Sequence, residues 1–492
     1  MPLIPINLPP GQYRNGTEYQ SQGRWRDANL IRWHEGALRP VGGWRQRGSV
    51  DISGVVRTMV AWEDNTNNRR IAFGTHDKLY AMNSGDVVSD ITPAGFTAGR
   101  VDATAFTGFG GGPYGDDLYG LPRPDTGSVL PATTWSLDNF GEYLLGCTAD
   151  DGKIYQWQLN GGTPAAVLSN APTSCSGMMV TEERFVFAFG AGGDPRKISW
   201  SDREDNNTWT AATTNEAGDI QLQTNGVILK GLRTRGQSLI LTDQDAHAAT
   251  YSGPPYVYGF ERVGTSCGLI AANAAASVDA GVIWMGQRSF FVYSGGAVQE
   301  LPCDVADYVF SDINIDQKSK VHAVVNSRFS EIWWFYPSES STECDSYVSF
   351  DYGEQIWTTG TIGRTAGVDR GVFRQPFWIA ADGTLYEQEI GFDYGNQTPF
   401  AETGPIAIGV GEQVMSVRGM IPDENTLGDV SATFKTRFYP TDTQRDYGPF
   451  SMANPTSFRF TGRQIRMRIT GDASSDWRVG IMRLDAVAGG RR

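Results

Sequence analysis

The side chains able to do chemistry are few and scattered. The 492 residues include four histidines, His34, His76, His247 and His322, and none lies in an HExxH motif or at metal-ligand spacing from another. Five cysteines, Cys147, Cys175, Cys267, Cys303 and Cys344, are odd in number and far apart. With no CxxC pair they read as buried free thiols of a protein made in a reducing compartment. No G-x-S-x-G nucleophile turn occurs. GFGGGP (108–113) is Gly-rich, but no GK[ST] follows, so it reads as a loop and not as a phosphate cradle.

Carboxylates are the only abundant catalytic type. The segment SWSDREDNNTW (199–209) approaches an Asp-box, yet Ser201 and Asp202 are adjacent and the motif's glycine is missing. Asp202, Asp205 and Asn206 therefore read as a side-chain-capped turn with Trp209 packed over it. Asp312, Asn314 and Asp316 alternate as at the start of a calcium loop. The sixth residue is Gln317 rather than Gly, and no carboxylate stands at the twelfth, which points to a solvated loop. PPYVYGF (254–260) and WWFYP (333–337) are rich enough in aromatics to stack on sugars, but core and subunit contacts are the expected use. The expectation is a protein with no catalytic residue, no cofactor and no metal: not an enzyme.

Charge is distributed unevenly. The net charge is −14, which argues against a whole surface built to grip nucleic acid. An acidic wall still lets DNA slide past without sticking. Residues 1–50 hold seven Arg, no Lys and three acids; residues 461–492 hold the same numbers. Two ends of +4 on a body of −22 suggest directional docking, because Arg pairs with carboxylates through two bonds. The arm residues Arg24, Arg26, Arg32, Trp33 and Trp44 and the terminal Arg463, Arg466, Arg468 and Arg478 are the candidate assembly contacts.

The elements that must position these residues are mostly short strands. The composition, with 59 Gly, 14 Trp, 19 Tyr and 24 Phe, suits strands and tight turns. The best helical candidate, GLIAANAAASVDAG (268–281), consists mostly of small residues. From residue 55 to about 391 a unit recurs: two apolar strands, a Gly or Asp turn, and a strand ending in an aromatic. Its markers Tyr80, Tyr155, Ile198, Tyr251, Tyr293, Tyr347 and Tyr386 are spaced by 75, 43, 53, 42, 54 and 39 residues. The later spacings match the roughly 40–50-residue period of four-stranded propeller blades. An exposed loop insertion at 110–127 explains the first gap. Stacked blades would bury Ile71, Phe73, Leu144, Phe187, Phe189, Leu239, Leu241, Val282, Trp284, Ile332 and Trp334.

The predicted fold class is therefore all-β: a β-propeller of about seven blades over 51–394, an extended N-terminal arm over 1–50, and a small β-sandwich-like domain over 395–492. In that last segment GRQIRMRITG alternates strictly, with Ile465, Met467 and Ile469 on one face and Gln464, Arg466 and Arg468 on the other. Its strands could alternatively complete the last blade. The start, MPLIPINLPPG, lacks the basic and apolar regions of a signal peptide, and no apolar run is long enough to span a membrane.

Several phrases resemble one family. ANLIRWHEGALRPVGGW, RRIAFGTHDKLYAM with SDITPAGF (89–96), GGDPRKISWSD (192–202) and the terminal GRQIRMRITGDASSDWRVGIMRLDAVAGGRR are similar to the tail-hub, nozzle or tail-stabilisation proteins of short-tailed bacteriophages. The likeness runs over most of the chain, and the insertion at 110–127 has no counterpart in it. It implies a structural virion protein made in the host cytoplasm, forming a homohexameric ring below the portal and its adaptor. Such a ring lines or closes the DNA exit channel, anchors tail fibres or spikes, and lets genomic DNA pass without sequence-specific binding. A carbohydrate-binding propeller adhesin is the first alternative, and a glycoside hydrolase the second.

Overall fold

The computed structural model describes residues 3–49, 52–105, 129–406, 413–472 and 474–489. The Gly-rich run 108–113 and the insertion at 110–127 lie outside the described residues. The repeats fold into seven antiparallel four-stranded sheets. Blade 1 comprises Thr58–Glu63, Arg69–Gly74, Leu79–Met82 and Val88–Asp90; blade 2 comprises Trp135–Phe140, Tyr143–Thr148, Ile154–Trp157 and Ala166–Val167. Blade 3 comprises Gly177–Val180, Val186–Phe189, Lys197–Trp200 and Gly218–Gln221; blade 4 comprises Ile228–Thr234, Gln237–Thr242, Asp245–Gly253 and Val257–Thr265. Blade 5 comprises Ala275–Val278, Gly281–Met285, Phe290–Tyr293 and Gln299–Leu301; blade 6 comprises His322–Asn326, Glu331–Tyr336, Ser346–Asp351 and Ile356–Thr361. Blade 7 has only three consecutive strands, Ala366–Val368, Phe377–Ile379 and Thr384–Gln388.

The first strand of each blade lies against that of the next, and blade 7 returns to blade 1, so the ring closes. All seven sequence markers fall in the third strand of a blade. The eleven side chains expected to be buried between blades are at most 1% exposed. They sit in second strands, which lie between neighbours within each sheet and between sheets around the ring.

The best helical candidate, 268–281, forms no helix. That stretch leads into the first strand of blade 5, and Ala274 and Ala275 are buried at the narrow centre of the ring. Small residues are used there for close approach, not for helix propensity. Among the described residues the one α-helix is Ala306–Asp312.

The arm is threaded through the whole molecule. β1 (Ile4–Ile6) pairs with Met482–Ala488, and β2 (Trp25–Asn29) pairs with Phe400–Thr403. β3 (Ile31–His34) and β4 (Ala37–Pro40) make a hairpin, and β5 (Trp44–Ser49) pairs with Thr384–Gln388 to supply the fourth strand of blade 7. Pro5 is accommodated because β1 is the edge of its sheet.

The C-terminal strands do not complete the last blade; they form two sheets of their own. One has the order β1, Met482–Ala488, Met415–Ile421, Thr456–Gly462. The other has the order β2, Phe400–Thr403, Gln464–Gly471, Val430–Arg437, Arg445–Ser451. One hydrophobic cluster fills the space between them, and Ile465, Met467 and Ile469 point into it as their alternation predicts.

Candidate functional site

The arm's arginines are engaged within the chain. Arg14 bonds Asp27 at 3.1 Å, Arg24 bonds Asp304 at 3.1 Å, and Arg39 bonds Asp476 at 2.9 Å. Arg45 and Arg47 share Glu387, and Arg47 also reaches Asp86. Arg32 is buried between Glu331 of blade 6, at 2.8 Å, and Glu389 beyond the third strand of blade 7, at 2.5 Å. Its guanidinium also stacks on Phe329, 3.7 Å from the ring centroid. Burial works to lower the Arg32 pKa, but the two carboxylates outweigh it and hold it above its ordinary value. Burial likewise pushes Glu389 up, yet Arg32, Asn326 and the Gly42 N–H hold it below the usual carboxylate range. Glu331 stays raised by burial despite Arg32. This cluster welds the β3–β4 hairpin to blades 6 and 7.

A second group of charges gathers on the outer face of the five-stranded sheet. The alternation that sends Ile465, Met467 and Ile469 inward sends Arg466 and Arg468 outward. The neighbouring strand does the same with Phe434 inside and Lys435 and Arg437 outside. Glu402 takes Lys435 at 2.6 Å, Arg466 at 3.3 Å and Arg468 at 3.4 Å. Glu18, from the 3-10 turn Glu18–Ser21 of the arm, takes Arg437 at 2.7 Å and Arg466 at 3.4 Å. Arg26 makes no ion pair among the described residues; it donates to the Thr17 carbonyl and Ser21 Oγ, and burial followed by repulsion from Arg14 lowers its pKa despite the pull of Glu18. Arg463 lies beside Arg437 and over the Tyr439 ring at 5.2 Å. Six cations thus share this face with Glu18, Glu402 and Asp446, which stands directly opposite Lys435, on a chain that is otherwise acidic.

Of the residues singled out in the sequence, the structure brings Arg26, Arg463, Arg466 and Arg468 together on this face. Arg24 is held at Asp304, Arg32 is buried in its clamp, and Arg478 pairs with Asp476 at 3.3 Å. Trp33 is core, 6.0 Å from Trp25, and Trp44 packs on Tyr394 at 5.6 Å. Sequence reasoning passed over Glu18, Glu402, Lys435 and Arg437. The alternation in VSATFKTRFYP would have found the last two; the carboxylates arrive from distant strands.

The propeller axis offers a different site. At one end a cavity of about 640 Å³ is lined by turns of blades 3 to 7, including Glu182, Arg233, Arg235, Asp279, Tyr352 and Asp369. Burial raises the Asp369 carboxyl, and Arg233 is bound to Asp138 at 2.6 Å. The other end is bridged. The Ala103 N–H donates to Gln317 Oε1 and Gln317 Nε2 donates to the Ala103 carbonyl, at 3.0 and 3.2 Å. Lys320 meets Asp102, and Asn273 Nδ2 donates to Thr58 Oγ1 of blade 1 at 2.9 Å. Connections from opposite sides of the ring therefore cross the axis.

The other sequence candidates have structural surroundings. The Asp202 and Asp205 carboxylates accept backbone N–H groups, and Trp209 Nε1 donates to the Asn206 carbonyl. Asp312 ends the helix, and Asn314 is bonded to Ser341. Burial pushes the thiols of Cys175 and Cys344 up to about 12 and that of Cys267 up to about 11. His322 is stacked on Phe335, and burial pushes its pKa down to about 4. No group of three or more metal-ligating side chains occurs among the described residues, and no helix among them is long and apolar enough to cross a membrane.

No protein-family model and no curated protein matches the chain. Among solved structures it is similar to virginiamycin B lyase from Staphylococcus aureus, with a TM-score of 0.42 and 8% identity over 70% of this chain and 98% of that one. It is also similar to the WD40 domain of Neurospora crassa Pan2, at a TM-score of 0.39 and 10% identity over 70% and 94%. The N-terminal domain of Nup159 gives 0.37 and 10% over 70% and 95%. Likeness at this level concerns the course of the backbone alone.

Proposed function

We propose that the chain is a non-catalytic structural protein of a short phage tail, a nozzle or hub that assembles as a ring of six below the portal and adaptor. The observation that carries this reading is the basic face around Arg26, Arg463, Arg466 and Arg468 on a chain of net charge −14. A ring closed by rotation needs two different, complementary surfaces on each subunit. A basic sandwich face docking on the acidic propeller of the next copy meets that need. The six-fold count rests on the family resemblance. DNA then runs through the bore of the assembly, because the propeller's own axis is crossed by Asn273 and Gln317. Six copies carry −84, and an acidic bore lets phosphate slide. The threaded arm supports the same role, since it ties sandwich to propeller and so passes force from fibres or spikes to the adaptor.

The test is the mass of the purified chain, with negative-stain images, alone and with the adaptor ring. A six-fold ring in either condition supports the proposal. A persistent monomer that ignores the adaptor overturns it. The axial cavity favours one second reading, a saccharide held by Glu182, Asp279, Asp369 and Tyr352, as in an adhesin or a glycoside hydrolase. Binding on a glycan array, or polysaccharide cleavage lost in Asp369→Asn, would establish it.

A further inference from the structure

Blade 7 buries a full positive charge that makes no ion pair among the described residues, the nearest carboxylate influence being that of Asp382. Arg364 is 5% exposed, and among the described residues its one acceptor is the Gly363 carbonyl, 2.8 Å from Nη1. Among the described residues nothing accepts a hydrogen bond from Nε or Nη2. The guanidinium lies against two rings, 4.2 Å from the centroid of Tyr386 and 5.0 Å from that of Trp44. The rings give partial relief through their π faces, but they leave the in-plane N–H donors untouched. Burial lowers the Arg364 pKa to about 10, so the group stays charged at neutral pH.

Two more orphan donors share the same face of the same sheet. Trp378 stands directly opposite Tyr386, and Gln388 stands directly opposite Trp44, so all four side chains leave the sheet on one side. Trp378 Nε1 and Gln388 Nε2 are both buried and have no acceptor among the described residues. That side faces blade 6, where Trp378 packs on Trp333 and Phe335 at 5.4 and 5.2 Å. Donors from three residues, one of them cationic, are thus left without an acceptor among the described residues on the side of this sheet that meets blade 6. Leaving such groups unmet in a low-dielectric interior is costly, and charge-assisted bonds to an anion satisfy them best. The size of the ligand is limited by close packing between blades. Trp44 and Tyr386, the rings against Arg364, are half-buried.

We propose that Arg364, Trp378 and Gln388 form a buried site for a small inorganic monoanion of halide size, between blades 6 and 7. The site lies against β5, the strand that closes the propeller. Its occupant therefore ties the first strand of the ring's closure to the last blade, independently of any ring of six.

The experiment uses the full chain at constant ionic strength, with chloride or bromide replacing gluconate. Melting should rise by about 1–3 °C and saturate with halide concentration. Arg364→Met should abolish the dependence, and Gln388→Leu, which keeps the charge, should weaken the apparent affinity about tenfold. Bromide-soaked crystals should give an anomalous peak at Arg364. If Arg364→Met fails to fold, the parent chain and Gln388→Leu still decide the matter. Melting indifferent to halide overturns the proposal, whether the crystals then show an ordered water or a bromide bound at crystal concentration only. Saturable stabilisation that persists in Arg364→Met overturns it too.

Discussion

Arg32 is the residue on which the arm's attachment turns. It meets two buried carboxylates from two blades, and both were taken out of water on folding. Arg32→Ala leaves that pair facing each other unpaired, and a loss of about 3–5 kcal/mol of stability is expected in urea unfolding. Lys is not an adequate replacement, because a point charge cannot hold Glu331 and Glu389 through separate N–H edges. His322 makes a prediction about pH. Burial, with a smaller contribution from Arg57, lowers its pKa from 6.5 to about 4 in the folded state. The unfolded chain therefore takes up a proton first as pH falls. Its contribution is fully present above pH 6.5 and is lost between pH 6.5 and 4, to about 3 kcal/mol. Unfolding midpoints measured from pH 7 to 4 should fall less steeply in His322→Gln than in the parent chain.

Among the elements, β5 carries the most leverage. It closes blade 7, and its approach is tight at Gly43, whose N–H donates to the Gly391 carbonyl at 2.7 Å. A Cβ on Gly43 would stand 2.5 Å from the Asp393 nitrogen, a backbone atom that cannot swing aside. Gly43→Ala should cost about 1–3 kcal/mol by the penalty for overpacking, read as a lower denaturant midpoint. Deleting residues 3–49 removes the edge strands of both sandwich sheets and the closing strand together. The truncated chain should lose cooperative unfolding; a shortened chain with a single sharp transition would show that blade 7 and the sandwich stand without the arm.

For the whole molecule, the question is what the basic sandwich face meets. Arg463 is the cleanest probe, since it stacks on Tyr439 and has no carboxylate partner among the described residues. Arg463→Glu should prevent ring formation with the adaptor while leaving the melting temperature of the monomer within about 1 °C. Exposed apolar side chains on the same domain, Tyr439, Leu427 and Ile481, mark where the contact should continue. Ring formation unchanged in Arg463→Glu would move the interface off this face.

Most of the propeller was legible in the chain because each blade is nearly self-contained. Hairpins of short strands place partners within a few tens of residues, so period, core positions and third-strand markers all survive in linear order. The outward arginines of GRQIRMRITG were readable for the same reason: alternation in one strand sorts its two faces. Non-local pairing was not readable. Nothing near Trp44 says that it completes a sheet begun at Ala366, or that Ile4 pairs with Leu484. The arm's charge excess read as a surface for others, yet Arg32 finds Glu331 and Glu389 some 299 and 357 residues away in its own chain. Sequence patterns record which face of a strand is buried. Which distant carboxylate meets which arginine, and which buried donors are left without one, is decided only when the ring closes and packs.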